Sequence, residues 1–515
     1  MIPSFTHRPL SICLGIFFSL LFSFTGISSQ VNAANSPSDN IRENYQKTRD
    51  KMRDKMKTSN KQKMQDKASG MPQDVLDLQP IKKITMPPFK KAISSAMLAG
   101  KEAATPLINL TYHKGKTLSV PDQFQTIQQA IDAANDGDTV LVKSGTYYEQ
   151  LIMKDGIKLI SDRGQGGDEL VAVPNAVIKL PRRTLRTIID GSKTVPSKQG
   201  MIDFNEGLGR HSMVDGFTIQ NLPPQNHHIP GHAHGINIRG ASPIIMNCYI
   251  KNMGSTGIGN HVVYNDQQQP LKTRDFRWKN IKNFSSPVIY NNIITGSLGL
   301  GIGCNHFSNP VILSNEMFNN SDSALGEGPS PGMGNKHGSA ATIIGNIVHD
   351  NPGGGILGQK GEPQGKYPVD RPTHPSIMHN VIYDNGEDKP AVGGMNLGAE
   401  TSPIVIRGNY IYSSGTTGIG ISDSSFAIIE ENYISQAKDP AIAVTGSIVL
   451  KLNNNYISST NGSPGIAIIN SAQVREMIGN NVDTNNDAPR FLVDRESRVS
   501  PGSATKRTPR GPRNH

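Results

Sequence analysis

The sequence predicts an all-β solenoid, a parallel β-helix, and three observations carry that prediction. A landmark residue is followed nine positions later by Gly or Ala, at Cys248/Gly257, Asn292/Gly301, Asn315/Ala324, Asn346/Gly355, Asn409/Gly418 and Asn432/Ala441. Asn455/Gly465 is one residue longer. Landmarks recur at 23 residues where nothing is inserted, from 292 to 315, 409 to 432 and 432 to 455. Apolar residues stand two positions after a landmark (Ile294, Met317, Val348, Ile382, Ile411, Ile434, Ile457) and one position after the Gly or Ala (Ile258, Ile302, Leu325, Ile356, Met395, Ile419, Ile442, Ile466). Short alternating apolar runs between Gly, Asn and Ser are the pattern of strands and turns. Helical repeats would show i, i+3, i+4 spacing, and leucine-rich repeats would show regular Leu. Roughly 20–25 residues per coil suits stacked coils that bury inward side chains on their neighbours. The Asn landmarks fit this too, because Asn tolerates left-handed backbone at a turn and hydrogen-bonds along a stack of like turns.

Taken in order, the chain begins with an export signal over residues 1–33. Arg8 precedes an apolar stretch from Leu10 to Phe24, and Val31-Asn32-Ala33 marks cleavage after Ala33. Residues 34–117 read as a basic, partly helical or disordered extension. Within it, residues 41–70 carry a net charge of +6 and Met52, Met56 and Met64, which are helix formers or soft-metal ligands. The β-helix spans 118–485, and 486–515 reads as a disordered basic tail. Residues 495–515 carry +5, which leaves −1 of the overall +10 for everything else. The basic segments suit either solvated linkers or tethers to anionic polymer, lipid or nucleic acid. No later apolar run approaches the roughly 18 residues of a membrane span, so a secreted or periplasmic, envelope-located monomer is expected.

The solenoid opens on residues 120–153. Phe124, Ile127, Ile131 and Ala134 fall at helical spacing, and Asp136-Gly137-Asp138 ends that helix before a strand at 139–143. Such an amphipathic helix suits a cap over the unpaired strand edges of a solenoid end. This stretch, with the Asn-landmark coils behind it, resembles the bacterial right-handed parallel β-helix proteins of the pectin-lyase-like superfamily. The resemblance covers about residues 118–485 and implies a single-stranded right-handed parallel β-helix. It implies no single activity, since that superfamily includes lyases, hydrolases, esterases, epimerases and non-enzymatic surface proteins. GHAHG at 231–235 comes without the NTD and paired-Asp motifs of polygalacturonases. The WIDH and RxPxxR segments of pectate lyases, the GTVDFIFG segment of pectin methylesterases and the DPH segment of alginate epimerases are absent.

Cys13 falls within the signal, and Cys248 and Cys304 occupy different coil positions, so two buried thiols rather than a disulfide are expected. Function is expected where the repeat is interrupted. The gap from Gly or Ala to the next landmark is enlarged at Gly257–Asn292, Ala324–Asn346 and Gly355–Asn380, all at one corner of the coil. A second corner is enlarged around 220–234 and 383–392. Insertions at one corner of neighbouring coils wall a groove. Two positions after each Gly or Ala, an outward strip reads Gly259, Gly303, Gly326, Leu357, Asn396, Gly420, Ala443 and Ala467. Side chains this short suit the floor of a polymer cleft, or a plain face covered by a terminal segment such as 80–115.

The loops at 260–285, 326–340 and 358–375 supply the candidate chemistry. Arg274, Arg277, Trp278, Lys336, Lys366 and Tyr367, with Gly259 and Gly303, are candidate substrate-binding residues, since a Trp face stacks on a sugar ring and cations bind uronate carboxylates. His232, His234, His337, Lys360 and Arg371 are the candidate catalytic residues of a lyase- or epimerase-like reaction on acidic glycans, in which a near-neutral base removes the proton beside the carboxylate. The cluster NHHIPGHAHG, with His227, His228, His232 and His234, reads as a metal or base site or as a polar turn. Asp266, Asp275, Glu327 and Asp370 are oxygen donors of the kind Ca²⁺ takes, although no spacing defines a site. The expected partner is polysaccharide or envelope glycan, with no specific nucleic acid. The alternative is a non-catalytic surface protein that binds glycan or a protein through the same face.

Overall fold

Each coil folds because short apolar runs alternate with turn residues, and the turns stack in register. The computed structural model describes residues 71–79, 86–109, 115–164, 167–194, 199–223, 233–266, 268, 275–305, 307–320, 325–327, 339–358, 373–386, 393–398, 403–422, 425–484 and 488–501, all within one unit, Asn35–His515. One coil runs through Val288–Tyr290, Ile293–Thr295 and Ile302–Cys304, and the next through Val311–Leu313, Glu316–Phe318 and Leu325–Glu327. Among the described residues these strands stack into three parallel sheets of 15, 12 and 12 strands. We call them the first, second and third sheet, in the order each coil enters them. Equivalent apolar residues pair across coils, as in Ile289↔Ile312, Ile294↔Met317 and Ile302↔Leu325. The inward Ile residues are fully buried and form one column down the solenoid.

The corner between first and second sheet is two residues long and explains the landmark. Its first residue has positive φ, at Asn291, Ser314, Gly345, His379, Gly408, Glu431, Asn454 and Gly479. Its second residue is the landmark Asn, turned inward and fully buried. The left-handed turn therefore falls to the residue before the landmark, which corrects the conformational role expected of the Asn itself. The landmark serves the ladder: each Oδ1 accepts from the backbone N–H and the Nδ2 of the previous rung, unbroken from Asn292 to Asn480. Each Nδ2 also donates to a core carbonyl, as Asn432 does to Ile406 O. A shorter ladder, Asn320, Asn351 and Asn385, lines the corner after the second sheet. Cys248 stands first in the long ladder, its N–H donating to Asn292 Oδ1. Both Cys248 and Cys304 are buried free thiols, and burial pushes the Cys248 thiol up to about 12.

Part of the segment expected as an extension is built into the solenoid. Helix α1 (Gln73–Asp77) lies at the C-terminal end, where Gln79 supplies the next rung of the ladder. Gln79 Oε1 accepts from Asn480 N (2.8 Å) and Nδ2 (3.1 Å), and its Nε2 donates to Met477 O (2.9 Å). Helix α2 (Phe89–Ile108) lies against the corner between first and second sheet. Its face of small residues, Ala92, Ala96, Gly100 and Ala104, lets the backbones touch: a Cβ on Gly345 would stand 2.2 Å from Ala96 O. Phe89 meets Tyr383 edge-on at 4.9 Å, and Leu107 and Ile108 pack on Met213, Ile244 and Val288. The chain then enters the first strand, Thr117–Val120. This N-terminal arm covers the first–second corner, not the strip of short side chains on the third sheet.

Helix α3 (Ile127–Ala133) follows, fixed by a capping box of Thr126 and Gln129 and by the Glu149 carboxylate accepting from Ile127 N and Gln128 N. It buries Ile127, Ala130 and Ile131 against the first strands. A strap, whose strands Leu170–Ala172 and Lys179–Pro181 pair antiparallel, crosses the second sheet and packs Val173, Ile178 and Leu180 on Ile293, Phe318 and Ile347. At the other end the coils outrun the boundary expected at residue 485. Phe491–Val493 pairs with Ile466–Ile468, and Arg498–Val499 with Gln473–Val474. The strands there are two and three residues long and are separated by the charged run Asp494-Arg495-Glu496, which hides them in the sequence.

Candidate functional site

The outer face of the third sheet holds the strip of short side chains, in register as the repeat predicts. Asn237, Gly259, Gly303, Gly326, Leu357, Asn396, Gly420, Ala443 and Ala467 pair successively, and Asp203 extends the row toward the N-terminal end. The two enlarged corners flank this sheet on either side. The row is not evenly open: Leu357 and Asn396 are half-buried, whereas Ala443 is 6% and Ala467 0% exposed.

The N-terminal rungs carry the polar groups. Asn237 is 2% exposed, and its Nδ2 donates to Asp203 Oδ1 and Gln199 Oε1, both at 3.0 Å. A carboxylate can only accept, so Asp203 fixes the orientation of this amide and leaves Asn237 Oδ1 facing away. That oxygen, Thr256 Oγ1 and Asn305 Oδ1 are buried without a hydrogen-bond partner among the described residues. A second outward row stands two positions further along the strands: Arg239 is in register with His261, and Asn305 Nδ2 lies 3.4 Å from His261 Nδ1. Arg239 and His261 are half-buried, and no hydrogen bond or ion pair engages Arg239 among the described residues.

Of the expected catalytic residues, His234 is placed at the start of strand His234–Arg239, 3% exposed, with its ring 6.2 Å from that of His261. Its position refines the role of Gly259. A Cβ there would lie 3.3 Å from His234 Cε1, so the missing side chain admits the chain's own imidazole. At Gly303 a Cβ would meet only ordinary contacts, with Leu300 at 3.4 Å and Thr256 at 3.5 Å. His227, His228, His232, His337, Lys360 and Arg371 lie outside the described residues, as do Arg274, Lys336, Lys366, Tyr367 and Asp370. The backbone of Glu327 pairs in register with Cys304 and Gly358.

The excursion after the third sheet forms a small layer of its own. Val263–Tyr264 pairs antiparallel with Ile281–Asn283 over an apolar cluster of Val262, Tyr264, Phe276 and Phe307. Trp278 is half-buried on this cluster, edge-on to Phe307 at 5.5 Å and tilted against Phe284 at 4.8 Å. Two of the expected oxygen donors, Asp266 and Asp275, are engaged within this layer. Asp266 accepts from Asp275 N and Asn280 Nδ2, both at 2.7 Å, while Asp275 pairs with Arg277 at 2.7 Å. The hydrogen bond from Arg277 holds the Asp275 carboxyl below the usual range. Among the described residues no three His, Cys, Asp or Glu side chains group as a metal site.

Arg239 and Asn237 escaped the reading of loops because they sit on a strand, His261 because it ends one at the mouth of the 260–285 loop, and Asn305 because it directly follows the strand Ile302–Cys304. The repeat itself places them: Arg239 and His261 stand two positions beyond Asn237 and Gly259 in the outward row.

Comparison with known proteins gives the following. The family described as right handed beta helix region matches residues 210–364 and 337–488, together more than half of the chain. A second family, described as protein of unknown function (DUF1565), matches residues 114–273. No curated protein matches in sequence. Among solved structures, the chain is similar to the Agl-KA catalytic domain at 12% identity and a TM-score of 0.45, covering 73% of this chain and 64% of that one. It is similar to pectate lyase Pel9A at 12% identity and 0.36, covering 68% and 76%. It is similar to the A-module of the Azotobacter vinelandii mannuronan C-5 epimerase AlgE4 at 14% identity and 0.31, covering 73% and 94%.

Proposed function

Because the chain belongs to the right-handed β-helix family, we propose that the third-sheet face is a binding site for an extended acidic polysaccharide in an exported protein. The observation that carries this reading is Arg239: a half-buried guanidinium without a partner among the described residues, in register with His261, on a face of short side chains. An unpaired guanidinium favours a bidentate carboxylate. Asn237 Oδ1, two positions earlier on the same face, needs a donor, which a sugar hydroxyl supplies. The half-buried Trp278 and the exposed Phe284 add an apolar ring surface on the neighbouring excursion.

The same pair supports β-elimination. Arg239 neutralises the uronate carboxylate, and His261 takes the proton from the adjacent carbon. The electron pair forms the ring double bond as the glycosidic C–O bond breaks, and the leaving oxygen takes a proton from water. Among the described residues no helix is long and apolar enough to cross a membrane.

Titration of uronate oligosaccharides and their neutral counterparts into the purified protein tests the binding reading. Arg239→Ala is expected to weaken the uronate about 10- to 100-fold, the worth of one charge-assisted hydrogen-bonded pair, and to leave neutral chains unaffected. An unchanged Kd for the uronate counts against it. Absorbance of the unsaturated product, with and without Ca²⁺, reads turnover. Binding without product leaves the face as that of a non-catalytic envelope protein.

A further inference from the structure

The strap over the second sheet is held by a group that the polysaccharide face does not use. Glu316 points outward from the second sheet, yet it is fully buried beneath the strap. Its carboxylate accepts from Val177 N at 2.7 and 2.9 Å and from Ile178 N at 2.7 Å. It also meets His349 Nε2 at 2.9 Å, while His349 Nδ1 meets Asp350 Oδ2 at 2.6 Å. A carboxylate has only acceptors to offer, so with Glu316 and Asp350 both ionised both ring nitrogens donate and His349 is an imidazolium. It lies flat between Phe318, at 5.0 Å and 9°, and Tyr383, at 4.6 Å and 4°, a sandwich that suits a cation.

We propose that His349 is a proton-dependent latch that keeps the strap closed on the second sheet. A neutral imidazole donates from one nitrogen only. Loss of the proton sets a lone pair against a carboxylate and leaves Glu316 charged, buried and without its cation, a costly arrangement. Opening the strap hydrates Glu316 and uncovers Ile293, Phe318 and Ile347.

The groups facing His349 are Glu316 from its own sheet, Asp350 from the following turn, and Tyr383 with Asp384 from the coil beyond. The strap brings backbone N–H groups and apolar side chains; Lys179 on it is exposed. Helix α2 brings Ile93 and Met97. Tyr383 stays neutral, since burial raises its phenol. Burial alone would lower the His349 imidazole, but the hydrogen bonds to Glu316 and Asp350 carry it above its ordinary value. A folded pKa raised above the unfolded one gives stability that is full below about 6.5. That stability is lost as pH rises through the folded value.

Hydrogen exchange on the full chain reads the latch directly. Protection of the Val177 and Ile178 amides, corrected for intrinsic base catalysis, is expected to hold up to about pH 6.5 and then fall about tenfold for each unit by which the folded imidazole exceeds that value. The Asn432 amide, in the ladder, serves as the pH-independent control. His349→Gln is expected to flatten the profile at the high-pH level. Should that variant not fold, ring-nitrogen NMR of the parent protein decides: titration of His349 at or below the ordinary imidazole value overturns the latch. So does strap protection that does not change with pH.

Discussion

Asn432→Ala lowers the stability of the solenoid by about 4–6 kcal/mol, because it removes four hydrogen bonds between buried groups at once and leaves the Asn409 N–H without its acceptor. Asn432 Oδ1 accepts from Asn409 N at 3.0 Å and Asn409 Nδ2 at 2.9 Å. Its Nδ2 donates to Ile406 O and to Asn455 Oδ1, both at 3.0 Å. Water cannot reach any of these groups without opening the coil. The loss belongs to the exceptional class of single substitutions for that reason. Asn432→Asp fares no better, since it turns a second carboxylate oxygen toward Ile406 O and Asn455 Oδ1. The neighbouring Glu431→Gly is the contrast: φ is +59° there, so glycine relieves left-handed strain and is expected to be neutral or stabilising by about 1 kcal/mol. Urea denaturation checks both. An Asn432→Ala protein within about 1 kcal/mol of its parent would show that the ladder is dispensable.

Gly100→Val releases the N-terminal arm. A Cβ at residue 100 would stand 2.2 Å from Ser314 Oγ, 2.8 Å from Ser314 N and 3.0 Å from Ile344 O. Ser314 Oγ can rotate, but the backbone atoms of two coils cannot withdraw, and the helix must lift. The expected cost is about 3 kcal/mol, at the upper end of overpacking. Limited proteolysis should then cut within residues 86–109 while the ladder amides remain protected. Unchanged resistance of α2 would mean that the helix tolerates a wider approach than its small-residue face implies.

The fold was legible in the sequence because a solenoid repeats its demands. From Asn292 onward the coils repeat an inward apolar residue at the same two positions and an amide at the same corner, so the pattern emerges without any long-range inference. What escaped were contacts made once. Gln79 meets Asn480 across 401 residues, and nothing in its neighbourhood distinguishes it from a linker glutamine. Glu316 and Arg239 read as ordinary outward polar residues until the strap and the adjacent rungs are seen around them. Gly259 was legible as a bare position but not as the seat of His234. The loops drew attention because they interrupt the repeat, whereas Arg239 was hidden by obeying it and His261 by ending a strand at the mouth of the 260–285 loop.

The arm changes what it means for this chain to finish folding. Coils of a solenoid can close one after another as the polypeptide emerges, each on the one before. Gln79 is made before any of them, and its rung does not exist until Asn480 has been added. The earliest residues of the structure are therefore the last to find their place. Docking of Gln79 reports that the ladder has formed as far as Asn480, and a chain stalled at an earlier coil would keep α1 exposed.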